Sequence, residues 1–229
     1  MLSENLIQIN ERIASAASRS SRKIDEILLL AVSKAFPAEV LREAVEAGLD
    51  TFGENKVQEA IAKIPELPSH LKWHLIGPLQ KNKIRKALPC FDLIHSVDSL
   101  TTAQQIDRIA AEEGLHPRVL LQINIAADAA KHGFTKTAIH EQFETLLELK
   151  RLQIEGVMTI PAFDSDPEKT RPSFANLREV RNELVEEFDC PLPEISMGMS
   201  HDFDVAIEEG ATIVRVGSAL FGKRKSTIR

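Results

Sequence analysis

The sequence predicts a barrel of eight parallel β-strands, each followed by a helix, and three observations support this fold class. Eight short apolar segments recur along the chain, and longer amphipathic segments separate nearly all of them. Several apolar segments are almost continuously hydrophobic, which is typical of strands buried on both faces of a parallel sheet. The chain has 229 residues, close to the roughly 250 of a typical (β/α)8 TIM barrel. A doubly wound open sheet is the alternative, but no strand is followed by the glycine-rich GxGxxG of a dinucleotide fold.

The eight strands are predicted at residues 27–34, 50–55, 72–77, 91–98, 118–125, 152–161, 193–197 and 212–217. An N-terminal helix precedes them, and further helices are predicted at residues 37–48, 56–64, 80–88, 99–114, 137–150, 174–188 and 201–210. Helix ends carry the expected signals: Pro37 opens one helix that Gly48 closes, and Ser99 and Gly114 are suited to cap another. Residues 161–174 are predicted to form the one long loop.

Composition excludes several functional classes. The net charge of −6 and the sequence pI of about 5.7 disfavour a general nucleic-acid binder. Cys90 and Cys190 lack a CxxC spacing, so neither a disulfide framework nor a zinc cluster is predicted, and the histidines lack metal-ligand spacing. The longest apolar run is too short to span a bilayer, and the polar-interleaved N-terminus does not resemble a signal peptide. We expect a cytoplasmic, monomeric protein with one domain over residues 1–229, ending in a flexible basic tail at 223–229.

Active sites of such barrels form at the carboxyl ends of the strands. Lys34 ends the first strand, Asn55 follows the second, His74 lies in the third and Arg215 lies in the eighth. The segments after the seventh and eighth strands supply hydroxyls and glycines, which are suited to bind a phosphate: Ser200, Gly217 and Ser218.

These segments after the seventh and eighth strands form a predicted phosphate-binding rim. A lysine opposite this rim suggests a Schiff base with a phosphorylated carbonyl compound. Pyridoxal 5′-phosphate (PLP) fits, because it carries an aldehyde, a phosphate and a ring nitrogen for which Arg215 is a candidate partner. A Schiff-base aldolase acting on a sugar phosphate fits the same pattern. The non-functional interpretations are a solvated strand-end lysine at position 34 and a structural pairing of Arg215 with a carboxylate such as Glu208.

Beyond these patterns, the chain resembles the pyridoxal phosphate homeostasis protein family over nearly its whole length. The matching stretches are LLLAVSK, FGENKVQE, WHLIGPLQKNK, INIAADAAKHGF, GVMTIP, SMGMS and IVRVGSALFG. The chain departs from the family at Lys56, where many members have tyrosine, and in KHGF, where KSGF is more common. The resemblance implies a barrel similar to the N-terminal domain of bacterial alanine racemase, and it implies bound PLP.

The resemblance also implies roles for individual residues. Lys34 matches the lysine that forms the Schiff base, and Arg215 matches the arginine at the ring nitrogen. The phosphate-binding positions of the family match Ser200, Gly217 and Ser218. Asn55 and His74 match further positions of the family's pocket.

The resemblance implies a PLP carrier or regulator that lacks robust catalysis. Such a protein is expected to deliver PLP to PLP-dependent apo-enzymes and thereby to affect amino-acid and keto-acid balance. The sequence adds a reason: racemisation needs a proton-transfer group on each face of the substrate carbon, and this chain contains no tyrosine to serve as the second. With its last residue at Arg229, we also expect the chain to lack the second, β-rich domain that racemases carry. A racemase-like enzyme stays the alternative, with His74 or Lys131 as an unconventional base. No catalytic or metal-ligating residue is assigned.

Overall fold

A computed structural model describes residues 2–126, 128 and 131–222, and they form a closed barrel of eight parallel strands. Each strand pairs with the next along the chain, and the eighth pairs with the first. This confirms the predicted fold class. The strands are β1 Leu28–Val32, β2 Thr51–Glu54, β3 Lys72–Leu75, β4 Leu93–Val97, β5 Arg118–Gln122, β6 Gln153–Met158, β7 Glu194–Met199 and β8 Ile213–Val216.

Helices precede, separate and follow the strands. They are α1 Leu2–Arg19, α2 Ala38–Glu46, α3 Val57–Lys63, α4 Ile84–Ala87, α5 Leu100–Glu113, α6 Lys136–Leu147, α7 Arg171–Phe188, α8 Phe203–Glu208 and α9 Ser218–Phe221. Short 3-10 helices lie at Ile24–Glu26, Ile64–Glu66, Lys81–Lys83 and Pro167–Thr170. None of the described helices combines the length and apolar character that a bilayer span requires. The predicted basic tail lies outside the described residues.

The capping signals read from the sequence act as expected. Ser99 accepts a hydrogen bond from the backbone N–H of Thr102 at the start of α5, and Gly114 ends that helix in the left-handed conformation with φ of 68°. Pro37 is the N-cap residue of α2. The Ser99 hydrogen bond and the left-handed Gly114 are local features that mark the two ends of α5.

Two predicted segments differ from the structure. The helix predicted at 80–88 is instead a 3-10 turn followed by the four-residue α4, and Pro89 lies two residues beyond its end. The long loop predicted at 161–174 is shorter, because a 3-10 turn leads directly into α7 at Arg171. Asp166 caps that turn by accepting a hydrogen bond from the backbone N–H of Glu168 at 3.0 Å.

Helix α1 packs against α8 and α9. Its buried residues recur every three or four positions, which directs one face of the helix toward the barrel: Leu6, Ile9, Ile13, Ala16 and Ala17. Asn5 donates a hydrogen bond to the carbonyl of Leu220 at 2.9 Å, and Arg12 pairs with Asp204. The N-terminal helix therefore braces the two helices that follow β7 and β8.

The hydrophobic core has two parts. The larger part lies between the sheet and the surrounding helices. The smaller part fills the barrel interior and consists of Leu30, Val32, Ile76, Leu93, Leu120, Met158 and Ile213. Alternate residues of a strand share a face, so the side chains of His74, His95 and Arg215, two positions from Ile76, Leu93 and Ile213, also point into the barrel. Polar groups therefore share the interior with the apolar cluster.

Candidate functional site

A cavity of about 470 Å³ opens at the carboxyl ends of the strands. It collects six of the seven predicted site residues: Lys34, Asn55, Ser200, Arg215, Gly217 and Ser218. The remaining lining is mainly apolar and comes from Val32, Phe36, Ile76, Ile160, Phe163, Met199, His201 and Gly222. A cavity of this size with a few convergent polar groups is typical of a small-molecule site.

Lys34 follows β1 and is half-buried at the edge of this cavity. The preceding residue, Ser33, continues the pairing of β1 with β2 through a 2.9 Å hydrogen bond from its backbone N–H to the carbonyl of Gly53. The following residue, Ala35, has a positive φ of 65°. The chain thus turns sharply at the lysine, immediately beyond the last sheet hydrogen bond.

Arg215 brings a buried positive charge to the cavity. Its guanidinium donates hydrogen bonds to the hydroxyl of Ser196 at 2.6 Å and to the carbonyl of Thr159 at 2.8 Å. Burial lowers its pKa to about 10, an effect that the charge of Asp202 opposes, so the guanidinium stays protonated at neutral pH. Both hydrogen-bond acceptors are neutral, so the positive charge remains available to a ligand.

The structural pairing of Arg215 with Glu208 is wrong. Glu208 instead accepts hydrogen bonds from Arg19 at 2.6 Å and from Arg171 at 2.7 Å on the outside of the barrel. The two residues belong to neighbouring elements, but Arg215 points into the barrel while Glu208 ends α8. Closeness in sequence therefore gave a false partner.

His74, the seventh predicted site residue, does not line the cavity. It is buried in the barrel interior, where its Nδ1 atom lies 3.1 Å from Nε2 of His95. Nδ1 of His95 in turn lies 2.9 Å from the hydroxyl of Ser196, which accepts from Arg215. His74 is therefore joined to the cavity through His95, Ser196 and Arg215.

Both interior histidines are neutral at pH 7. Desolvation by burial lowers the pKa of His74 to about 4, although the charge of Asp92 partly opposes this. Desolvation places the pKa of His95 well below its usual value, and the neighbouring His74 imidazole and the Arg215 guanidinium lower it further. His95 is fully buried and hydrogen-bonded on both ring nitrogens, so its role in the barrel interior is structural.

The Ser200 hydroxyl connects the two turns of the predicted phosphate-binding rim, which follow β7 and β8. The Ser200 oxygen accepts hydrogen bonds from the backbone N–H groups of Gly217 at 3.1 Å and Ala219 at 3.3 Å. Asp202 accepts one from the backbone N–H of Met199 at 2.7 Å. The turns after β7 and β8 thus form one rim with a hydroxyl and glycine backbone facing the cavity.

His201 and Phe163 are neighbours among the lining residues that were not predicted as site residues. His201 lines the cavity, and its Nε2 atom is buried with no hydrogen-bond partner among the described residues. The ring of Phe163 lies 5.2 Å from that of His201, yet the Phe163 residue is 78% exposed. Both lie outside the helices and strands of the structure, although His201 was predicted to begin a helix. An exposed aromatic residue in the loop after β6 was the one available signal.

A second cavity of about 470 Å³ adjoins the first and shares its wall at Asn55, Ile76, Ile160 and Phe163. Lys131, the alternative base, lines this second cavity and not the first. Among the described residues, no group of three or more histidine, cysteine, aspartate or glutamate side chains could hold a metal ion.

The chain is similar to known proteins in both sequence and structure. Residues 5–225 match the family model described as alanine racemase, N-terminal domain. The chain is 44% identical to the pyridoxal phosphate homeostasis protein of Aquifex aeolicus, covering 97% of this chain and 98% of the relative. It is 41% identical to the protein of that name from Pseudomonas aeruginosa, covering 97% and 96%.

Solved structures agree. PipY of Synechococcus elongatus, solved with PLP bound, is 42% identical with a TM-score of 0.84, covering 97% of this chain and 100% of that one. An alanine racemase of Clostridium difficile is 22% identical with a TM-score of 0.75, covering 99% of this chain and 57% of that one, and this likeness concerns the fold. The resemblance noted in the sequence is confirmed. The chain belongs to the alanine racemase N-terminal domain family and, within it, to the pyridoxal phosphate homeostasis proteins.

Proposed function

We propose that this chain binds pyridoxal 5′-phosphate in the first cavity and that Lys34 holds it through a Schiff base. The observation that carries the proposal is the convergence of an amine, a buried guanidinium and a rim of hydroxyl and glycine backbone in one cavity. The naming of the relatives and the PLP-bound PipY structure support it.

The residues present fit this cofactor. The guanidinium of Arg215 is buried with neutral hydrogen-bond acceptors, and a buried charge is costly unless it gains a partner. The buried Nε2 atom of His201 lacks a hydrogen-bond partner among the described residues and belongs to the same cavity wall. An anionic, nitrogen-containing ligand would satisfy such groups, whereas a purely apolar ligand would not.

Individual residues would divide the binding between them. Asn55 would contribute to the pocket wall, and the rim of Ser200, Gly217 and Ser218 would hold the phosphate. Arg215 would donate a hydrogen bond to the ring nitrogen and leave it unprotonated, because arginine keeps its own proton. When bound, PLP supplies an electron sink for negative charge on a carbon next to the amine, and this sink is weaker with an unprotonated ring.

The same residues favour a carrier over a catalyst. Proton transfer on both faces of a substrate carbon needs a second acid–base group besides the lysine, and the chain has no tyrosine. His74 and His95 are engaged with each other inside the barrel, and neither lines the cavity. We infer a cytoplasmic, monomeric protein without robust catalysis, which buffers PLP and supplies PLP-dependent apo-enzymes, with amino-acid and keto-acid balance affected downstream.

The test combines absorbance with chemical trapping. The purified protein, incubated with PLP, is expected to become yellow and to bleach on borohydride treatment, with the reduced pyridoxyl group mapped to Lys34. Lys34→Ala is expected to lose this trapped adduct while retaining weaker, non-covalent binding at the phosphate rim. Lys56→Ala serves as the control, because Lys56 is a nearby exposed lysine outside the cavity lining.

Two results would contradict the proposal. A protein that takes up no PLP would favour a Schiff-base aldolase or another phosphorylated ligand. Repeated catalytic turnover of an amino acid by the PLP-loaded protein, racemisation above all, would favour the racemase-like enzyme.

A further inference from the structure

We propose that helix α3 clamps the turn that carries Lys34, with Glu59 and Lys63 acting as positioning residues on its two sides. The inference rests on the proposed function, because it concerns how the lysine is presented to a carbonyl ligand. Neither Glu59 nor Lys63 lines either described cavity, so both act through the backbone beside Lys34.

The first side of the clamp holds the residue after the lysine. The backbone N–H of Ala35 donates a hydrogen bond to Oε2 of Glu59 at 3.2 Å. Ala35 has a φ of 65°, a left-handed conformation that a side chain with a Cβ atom adopts at a cost. Ala35 is exposed, so burial of its own side chain does not impose this conformation. The carboxylate of Glu59 supplies a specific stabilisation of the turn.

The second side holds the residue before the lysine. The ammonium of Lys63 donates a hydrogen bond to the carbonyl of Ser33 at 3.0 Å and pairs with the carboxylate of Glu54. The Ser33 hydroxyl donates to the same Glu54 oxygen at 2.6 Å. All three residues are buried. The peptide preceding Lys34 is therefore anchored from both its backbone and its side chain.

The spacing in α3 explains how one helix does both. Glu59 and Lys63 are four residues apart, so they project from the same face of the helix, one turn from each other. The first reaches the backbone after Lys34 and the second reaches the backbone before it. A single rigid element thereby fixes the peptide units on either side of the cavity lysine.

A contribution to global stability does not readily explain why Lys63 and Glu54 are kept as a buried charge pair. Removing two charges from water costs free energy that their attraction often fails to recover, and apolar replacements of similar size are frequently neutral or stabilising. Glu54 also leaves its second carboxylate oxygen buried with no hydrogen-bond partner among the described residues. A positioning role accounts for charges kept beside the lysine, because a pre-oriented amine loses less conformational freedom when it captures its ligand.

Glu59→Ala tests the exposed side of the clamp without burying a charge. We expect affinity for PLP to fall about three- to tenfold, as for the loss of one backbone hydrogen bond. Affinity for pyridoxine 5′-phosphate, which has the phosphate and ring but no aldehyde, should be unchanged. Lys56→Gln is the matched control, because it removes the 3.2 Å ion pair of Lys56 with Glu59 while leaving the Ala35 hydrogen bond.

Rescue separates a positioning role from general damage. Glycine adopts a left-handed conformation at no steric cost, so Ala35→Gly combined with Glu59→Ala is expected to recover part of the lost PLP affinity. For the buried side, the pair Glu54→Gln with Lys63→Met removes both charges together. It should also lower PLP affinity and leave binding of the alcohol analogue intact.

Equal losses for PLP and the alcohol analogue, an unchanged PLP affinity in Glu59→Ala, or no recovery with Ala35→Gly would overturn the clamp. Failure of the proposed function is distinguishable from these outcomes, because the unmodified protein would then give no borohydride-trapped adduct on Lys34.

Discussion

At the scale of single residues, a chain of side-chain hydrogen bonds connects the barrel interior to the cavity. It runs from His74 through His95 and Ser196 to Arg215. One proton lies between the two facing imidazole nitrogens in a neutral pair, because two N–H groups would repel. Arg215 donates to the Ser196 oxygen, which leaves the serine O–H free to donate to His95. The order of this chain depends on both histidines remaining neutral.

Protonation of His74 should destabilise the protein in acid. Its pKa is about 4 in the folded protein and near 6.5 in the unfolded chain, so the unfolded chain binds the proton more tightly. The stabilisation is present in full above about pH 6.5 and is lost as the pH falls through about 4, with a limit of about 3 kcal/mol. Urea unfolding at about pH 7 and about pH 5 measures it. His74→Asn should show a shallower pH dependence, and an unchanged slope would contradict the assignment.

Ser196→Ala should destabilise the protein by about 1–3 kcal/mol, because it removes one buried hydrogen-bond partner from Arg215 and one from His95. The free energy of unfolding in urea gives the value. Ser15→Ala is the control, since Ser15 accepts a hydrogen bond from Arg19 at the surface and its loss should cost less than about 0.5 kcal/mol. Equal effects of the two substitutions would show that the interior hydrogen bonds add nothing.

At the scale of elements, the turn from β7 into α8 depends on close packing at a glycine. Gly198 has a positive φ of 85°, and a Cβ atom there would lie 2.5 Å from Cβ of Ala206 and 3.0 Å from Cα of Phe203. Ala206 and Phe203 belong to α8 and Gly198 to β7. The absence of a side chain therefore allows α8 to approach the strand that leads to Ser200.

Gly198→Ala is expected to cost at least about 2 kcal/mol of stability, from backbone strain together with overpacking. Gly114→Ala is a matched control: it has a similar φ of 68°, but a Cβ atom there meets nothing within 4 Å. The control should lose only about 1 kcal/mol. Thermal and urea unfolding of both variants separate the two contributions. Equal losses would mean that conformation alone, without packing against α8, makes glycine necessary at position 198.

At the scale of the whole molecule, a ligand that binds the folded state alone should stabilise it. PLP at 100 times its dissociation constant should add about 2.7 kcal/mol to the free energy of unfolding and raise Tm by several degrees. Pyridoxal, which lacks the phosphate, should give a smaller shift at the same concentration, because it cannot use the rim after β7 and β8. Thermal unfolding at several ligand concentrations provides the comparison, and equal shifts for both compounds would argue against a phosphate-binding rim.

The sequence by itself determined the order and type of the strands and brought most of the site together. Eight apolar segments alternating with capped amphipathic helices favour a parallel barrel over an open sheet, and the parallel strands of a barrel place all their carboxyl ends at one rim. Residues near strand ends, such as Lys34, Arg215 and Ser200, could therefore be assigned to one cavity without knowing any contact. The family resemblance independently implied the same residues.

Only the tertiary structure decided which side chains meet across the barrel and between elements. The alternation of side chains along a strand predicts that His74 points into the barrel, but it does not predict how far His74 lies from the cavity. His74 was therefore assigned to the pocket wall, whereas it contacts His95 deeper in the barrel. The pairing of Lys63 with Glu54 and the contact of Glu59 with Ala35 depend on how α3 docks. Local patterns carry periodicity and capping, whereas these partners depend on barrel closure and helix packing, which bring together groups from different elements.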